Sequence, residues 1–421
     1  MRAYGDLGPS VRRGPWHHAG MRAPIATVLA LAAFAPAAAH AGVPPENARA
    51  FAQEVYSRYV ADRAVPTGWP GPAGTCDVAL DSPASSAATL GTLNALRALA
   101  RVPPVTFSWR ESMVAADAAT LMAANKGATH TPPPDWACWT STGADAAAAS
   151  NLALGPTGAR AIAAYLDDPG DNNAVVGHRM NVLDPRPRVM GSASTDITNA
   201  LTSAYLPARF APQNTMVAWP PPGWFPAQLM TRRWSLAIHG SSDITRARVA
   251  MTLDGSPIAV SGPIEGASVD RFEHSLVWEP DPAALDRAAD GGDHQLGVVI
   301  TGIRVSGLRA SARYTVRTFG AAEVPGTYVP PEGLSNLSVS RRGRVVTVRA
   351  TTARAGTVTA DVSHDGYPIE DVKKKVGPGR FTIRVPLKGV SSTGPANIQA
   401  AVVLTSPDGL WDTLLSKPRR F

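Results

Sequence analysis

Past residue 41 this 421-residue chain has no long apolar run, and it contains almost no cysteine. No later segment is long or apolar enough to span a bilayer, which excludes an integral membrane protein once a leader is removed. Cys76 and Cys138 are the only cysteines, enough for a single disulfide. No P-loop, dinucleotide-binding glycine fingerprint, His-Glu-x-x-His or Gly-x-Ser-x-Gly pattern occurs. The nucleotide, zinc-protease and serine-hydrolase classes that carry those signatures are therefore set aside. The basic residues accompany no recognised nucleic-acid module, so nucleic acid is not an expected partner.

What is present is the composition of a folded protein, 44% apolar and 17% charged. The length suggests two or three domains rather than one core. The formal net charge of +7 is unevenly placed. Residues 1–41 hold +3 of it, from Arg2, Arg12, Arg13 and Arg22 against Asp6. From Ser335 to Phe421, 14 Lys/Arg oppose 6 Asp/Glu, an excess of +8 that leaves the rest of the mature chain near −4. This asymmetry suits an anionic surface, such as cell-wall polymer or phospholipid headgroups; a solvated β-domain surface has the same composition.

Met21-Arg22 precedes an uncharged, mostly apolar stretch from Ile25 to Ala39, which the small-x-small pattern Ala39-His40-Ala41 closes. A basic start, a short apolar run and such a site make a secretory signal peptide, with translation beginning at Met21. Export predicts a secreted location, extracellular or periplasmic. An oxidising compartment favours a Cys76–Cys138 disulfide over two free thiols, and closing that loop would stabilise the fold by roughly 4 kcal/mol.

Phe51, Val55 and Tyr59 recur at helical spacing. A helix is predicted over Ser82–Ala100, with Leu90, Leu93, Leu96 and Ala100 on one face and Pro103-Pro104 beyond its end. Others are predicted over Trp109–Asn125, burying Val114, Ala118, Leu121 and Ala124, and over Thr157–Leu166. Past Pro185 the pattern is irregular, and Trp219-Pro220-Pro221-Pro222-Gly223 reads as a stiff linker. The period then changes to two. Val249, Met251 and Leu253 lead into an Asp254-Gly255 hairpin turn answered by Ile258 and Val260. Leu296, Val298 and Ile300 alternate likewise, as do Tyr314, Val316 and Thr318. After a proline-rich joint at Val324–Pro331, Phe381, Ile383, Val385 and Leu387 face one way, and Thr382, Arg384, Pro386 and Lys388 the other. Both regions read as β-sandwich-like.

Five segments recur in a telling order. They are Leu93-Asn94-Ala95-Leu96-Arg97; Pro103 to Trp109 with the Ala-rich helix leading to Ala128-Thr129-His130; Ser150-Asn151-Leu152; Ala161 to Asp168; and Gly177-His178-Arg179-Met180-Asn181-Val182-Leu183 followed by Val189-Met190-Gly191. Together, over about residues 76–220, they resemble the CAP family of cysteine-rich secretory, antigen 5 and pathogenesis-related proteins. The resemblance implies an α-β-α sandwich. It also implies a surface cleft where two histidines and two glutamates converge and can bind a divalent metal. His130 and His178 match the histidines, and Asp168 falls near the second glutamate. Ser150 stands at the first glutamate position, so no carboxylate is kept there. Zinc would accept two imidazoles and a carboxylate and leave a position for water. By the residues alone, His130 also suits a helix C-cap, and His178 the opening turn of a helix behind Gly177.

The expected fold class is α+β, a CAP-like α-β-α sandwich followed by two β-sandwich-like domains. The expected boundaries are a leader over 1–41, an N-terminal helix and linker over 42–75, the CAP-like domain over 76–220, and β-domains over 229–325 and 334–421. The expected function is a secreted ligand-binding or cell-surface interaction module, binding ahead of turnover. Its partner classes are lipid, sterol or cell-wall polysaccharide, with an anionic surface for the basic C-terminal domain. One alternative is a zinc-dependent hydrolase using His130, His178 and Asp168, with Ser150 as an orienting hydroxyl. Another is a structural wall-associated protein with a vestigial cleft. Asp290-Gly291-Gly292-Asp293 lacks the ligand pattern of a calcium loop and reads as a loop tip. Lys373-Lys374-Lys375 reads as a solvated loop. Trp219, Trp224 and Trp234 suit interface packing ahead of a sugar-stacking platform.

Overall fold

Ser82, Ser108 and Thr140 each stand just ahead of a helix and accept a hydrogen bond from the backbone N–H three residues on. Each satisfies a donor that the helix start would otherwise leave unpaired. In the computed structural model these caps open α2 (Pro83–Leu99), α3 (Trp109–Asn125) and α4 (Ser141–Ala149). Ahead of them lies α1 (Arg49–Asp62); behind them come α5 (Gly158–Asp167), α6 (Gly177–Leu183) and, far along the chain, α7 (Pro282–Ala288). The structure describes residues 44–71, 75–187, 189–204, 215–240, 242–267, 273–323, 334–364, 367–387, 397–405, 411–416 and 419–421. The signal peptide with its start at Met21, the joint at Val324–Pro331 and Lys388 lie outside the described residues.

Four strands form the sheet of the helical region: β1 (Thr106–Phe107), β2 (Ser150–Leu154), β3 (Val189–Ser194) and β4 (Thr198–Ala204). Their order is β1-β3-β4-β2, antiparallel except that β1 runs parallel to β3. Alternate residues of each strand serve opposite faces. Leu152, Ala193 and Ala200 pack with Ala115, Ala119 and Leu121 of α3 and with Ala146 and Ala147 of α4. Ala153, Met190 and Leu201 join the other cluster, with Leu93 and Leu96 of α2, Ile162 and Tyr165 of α5 and Met180 of α6. This is an α-β-α sandwich. Gly191 lets β3 lie directly on α3, because a Cβ there would fall on the backbone of Glu111 and Ser112.

The second apolar cluster does not end at the helical layer. It continues through Trp219 and Phe225 into two sheets further along the chain. One is antiparallel and contains Thr215–Trp219, Trp234–His239, Val260–Glu265 and Glu273–Pro280. The other holds Gly223–Pro226, Arg248–Leu253, Ser256–Ile258, His294–Val305 and Leu308–Phe319. The last region has a core of its own, including Val346, Val348, Ile383, Val385, Val402 and Leu404. A three-stranded sheet of Leu334–Arg342, Val345–Thr352 and Gly379–Pro386 faces a sheet built around Gly356–His364 and Asn397–Thr405. The chain is thus α+β, a helical sandwich followed by two sandwich-like β regions.

Several local expectations change. The described stretch past Pro185 holds regular structure: Val189–Ser194, Thr198–Ala204 and Thr215–Trp219 are strands. All six residues of β3 are buried, and a strand covered on both faces shows no alternation to read. The Trp-Pro-Pro-Pro-Gly run is no linker. Trp219 ends one strand, Gly223 begins the next, and the prolines between are buried. Trp219 and Trp234 are fully buried, with Trp219 edge-on to Phe225 at 5.3 Å, so they pack the interior. Val260 does not continue the hairpin of Met251 and Ile258; it pairs with Pro280 in the other sheet. Lys373-Lys374-Lys375 belongs to a strand, Tyr367–Val376, with all three side chains exposed. In α3, Val114 and Ala124 are half-buried rather than core.

Candidate functional site

At the end of α5, Asp168 adopts the left-handed conformation with φ 51°. That turn brings its carboxylate back against the start of α6. Oδ1 accepts from the ring Nδ1–H of His178 at 2.7 Å, and Oδ2 from the backbone N–H of His178 at 3.0 Å. Asp168 has no exposed surface. The residue after His178, Arg179, is equally buried. It donates to the carbonyls of Leu166 (2.6 Å) and Asp167 (3.3 Å) and to the Ser235 hydroxyl (3.1 Å). Burial lowers the Arg179 pKa to about 10, against the opposing pull of Asp168 and Asp167. From beyond the helical region, Arg233 holds the same turn, donating to the carbonyls of Asp168 (3.2 Å) and Gly170 (2.8 Å).

His130 comes from the loop after α3. Its Nδ1–H donates to the carbonyl of Ala147 at 2.8 Å, in the last turn of α4. It therefore caps α4 rather than the helix that precedes it in sequence. The His130 and His178 ring centroids are 6.2 Å apart, and the Tyr165 ring lies 5.4 Å from His178. The Tyr165 hydroxyl is held by Asn151 and Asn199, and burial raises its pKa well above the usual phenol value. Asn151 donates to the His178 carbonyl at 3.0 Å and accepts from Asn181 at 2.9 Å.

His130 and His178 line one cavity of about 580 Å³, together with Ser150, Asn151, Asn173, Asn181, Leu152 and Val175. A carbonyl or a carboxylate only accepts, so each imidazole presents Nδ1–H to its partner. In the neutral ring the lone pair then sits on Nε2. Neither Nε2 has a hydrogen-bond partner among the described residues. The cleft thus offers two imidazole acceptors whose rings are fixed from behind.

Asp168 does not join the pair as a ligand. It stands behind His178, buried, with both oxygens engaged. Ser150 is buried too, and its hydroxyl donates to the Ala146 carbonyl at 2.7 Å. Two imidazoles on one tetrahedral zinc place their centroids roughly 5 Å apart, and a hydrolytic site needs a third protein ligand. At 6.2 Å the rings stand about 1 Å wider than that, and the missing carboxylate leaves the pair one protein ligand short. Among the described residues, no group of three or more His, Cys, Asp or Glu could hold a metal ion. No described helix is long and apolar enough to cross a membrane.

Cys76 and Cys138 are joined in a disulfide, with Cα atoms 5.1 Å apart. It ties the segment before α2 to the loop carrying His130. Asn151, Asn181 and Tyr165 occur in the sequence segments noted above, yet nothing local marks them as a hydrogen-bonded backing for an imidazole. Arg233 carries no local signal either, since the carbonyls of the turn that it holds lie more than sixty residues earlier.

Solved structures offer loose likenesses. Latent PorU from Porphyromonas gingivalis is 12% identical over 45% of this chain and 18% of its own, with a TM-score of 0.17. The CupB2 chaperone from Pseudomonas aeruginosa is 14% identical over 46% of this chain and 94% of its own, at 0.16. A DUF4785 family protein from Legionella pneumophila is 10% identical over 53% and 64%, at 0.17. At such scores none supports an inference about this chain. No match is found among curated proteins. Residues 90–201 match the family model of CAP, the cysteine-rich secretory protein family. The paired-histidine cleft lies within that span, and the chain carries a CAP domain.

Proposed function

We propose that this protein is a secreted ligand-binding module whose CAP cleft receives a hydroxyl-bearing polar ligand, of the polysaccharide class, against His130 and His178. One observation carries the reading: both rings use Nδ1–H on the protein, at 2.8 and 2.7 Å, which leaves Nε2 of each to accept from a ligand hydroxyl. The asparagines of the wall supply further polar contacts, and its apolar part is made of small side chains, alanines with Leu152 and Val175, and holds no aromatic or long aliphatic chain beyond these. That wall suits a sugar better than a sterol or an acyl chain. Binding comes ahead of metal-assisted turnover, because no third protein ligand joins the pair among the described residues. In this reading the leader over 1–41 directs export, 76–220 forms the binding domain, and 229–325 and 334–421 are accessory β-domains. The basic C-terminal domain attaches the whole to an anionic surface.

Solvent extraction of the purified full chain, followed by mass spectrometry, tests the ligand class. No stoichiometric lipid is expected. A sterol or fatty acid whose yield falls in the His130→Ala and His178→Ala variants would overturn the polar-ligand reading.

A further inference from the structure

The three-stranded sheet of the C-terminal region has one face in its core and one in water. Its strands pair so that Ser338, Arg349 and Thr382 form one row across the sheet, Ser340, Thr347 and Arg384 the next, and Arg342, Val345 and Pro386 the last. Thr351 and Arg380 are paired one row earlier. The intervening residues (Val339, Val346, Val348, Phe381, Ile383 and Val385) are buried on the opposite face. Arg342, Arg349, Arg380 and Arg384 are exposed, and no Asp or Glu occurs in any of the three strands. Arg349 donates to the Ser340 hydroxyl at 3.3 Å. No ion pair involves any of the four among the described residues. At the strand edge, Lys374 donates to the Thr382 carbonyl at 3.2 Å and adds another cation.

We infer that this face binds an anionic polysaccharide, a carbohydrate chain bearing carboxylate or phosphate groups. The inference rests on the reading of the C-terminal region as a surface-attachment unit and names the surface and the partner. Arg380 and Arg384 are separated by roughly 13 Å along their strand, and Arg349 lies between them one strand over, about 8 Å from each. Guanidinium forks spaced this way take successive anionic groups bidentately along an extended chain. The hydroxyls of Ser338, Ser340, Thr347 and Thr382 lie between the forks and match the hydroxyls between the charges of a sugar polymer. The face carries no aromatic residue on which a nucleobase could stack. Val345 and Pro386, together at one end, are too little apolar surface to enter a bilayer.

Equilibrium binding of the full chain is measured against polygalacturonate, neutral dextran, anionic phosphatidylglycerol vesicles and duplex DNA. Saturable, salt-sensitive binding to polygalacturonate and none to dextran is expected. Arg349→Ser, Arg380→Ser and Arg384→Ser together should weaken it about tenfold or more. The corresponding triple lysine variant, which keeps charge but lacks the fork, should bind with intermediate affinity. An Arg248→Ser, Arg309→Ser, Arg313→Ser variant, matched in charge loss, should bind like the parent. Unchanged binding in the first variant would overturn the assignment of the face while leaving anionic attachment by the C-terminal region intact. No binding to any polyanion would overturn both. An equal loss in the charge-matched control would overturn site-specific recognition. Vesicles or DNA held more tightly than polygalacturonate through the same arginines would overturn the choice of partner.

Discussion

Asp168 accepts two hydrogen bonds from a single residue, His178: one from its ring at 2.7 Å and one from its backbone at 3.0 Å. One buried carboxylate thereby fixes both the first turn of α6 and the tautomer of the imidazole at the cleft. Asp168→Ala should lower stability by about 2–4 kcal/mol, since buried donors lose their acceptor. Denaturant titration reads that loss. Asp168→Asn keeps the shape and should redistribute the His178 tautomers, visible in the nitrogen-15 shifts of its ring. A ring spectrum identical to that of the parent would mean that the carboxylate does not set the tautomer.

Gly191 is expected to accept no side chain. Its neighbours across the contact are backbone atoms of Glu111 and Ser112, which cannot swing aside as a side-chain tip can. Gly191→Ala should therefore destabilise by about 3 kcal/mol or prevent folding, at the upper end for overpacking. A thermal midpoint within experimental error of the parent would contradict the close approach of β3 to α3.

Reduction of the disulfide should act on the site as well as on the fold. Cys76–Cys138 anchors the loop that brings His130 to α4. Its loss should destabilise the chain by about 2–5 kcal/mol. Hydrogen exchange should rise first in residues 128–140. Uniform exchange across the helical region would argue against this local anchoring.

Burial sets a pH dependence at Asp81, whose pKa is raised to about 6 against the backbone hydrogen bond from Ser194. The folded chain holds that proton more tightly than the unfolded chain does. The Asp81 contribution therefore favours folding at low pH and is lost as pH rises from about 4 to about 6, by roughly 2–3 kcal/mol in all. Asp81→Asn should remove this component, so that the stability difference between variant and parent changes across that window. A difference independent of pH would show that Asp81 titrates normally.

Much of the fold was legible in the sequence where one face is wet. Phe381, Ile383, Val385 and Leu387 alternate with exposed residues, and the Leu90-Leu93-Leu96 stripe marks α2. The strands Val189–Ser194 and Thr198–Ala204 were not legible from their period, because the first is buried on both faces and residues 198–202 of the second are all buried. The buried Trp-Pro-Pro-Pro run misleads for a related reason, since proline-rich composition reads as a surface joint. At the site, the two histidines could be chosen from the sequence. The part played by Asp168 could not, because it depends on a left-handed turn and on Arg233 reaching back from just ahead of the strand Trp234–His239.

The central claim is that His130 and His178 together hold a sugar-class ligand. A glycan array probed with the full chain and with a His130→Ala, His178→Ala double variant of unchanged thermal midpoint tests it directly. The account predicts selective retention of a subset of glycans by the parent and loss of that subset in the variant, with acidic glycans held by the C-terminal face still retained. Identical array profiles for the two proteins would contradict it.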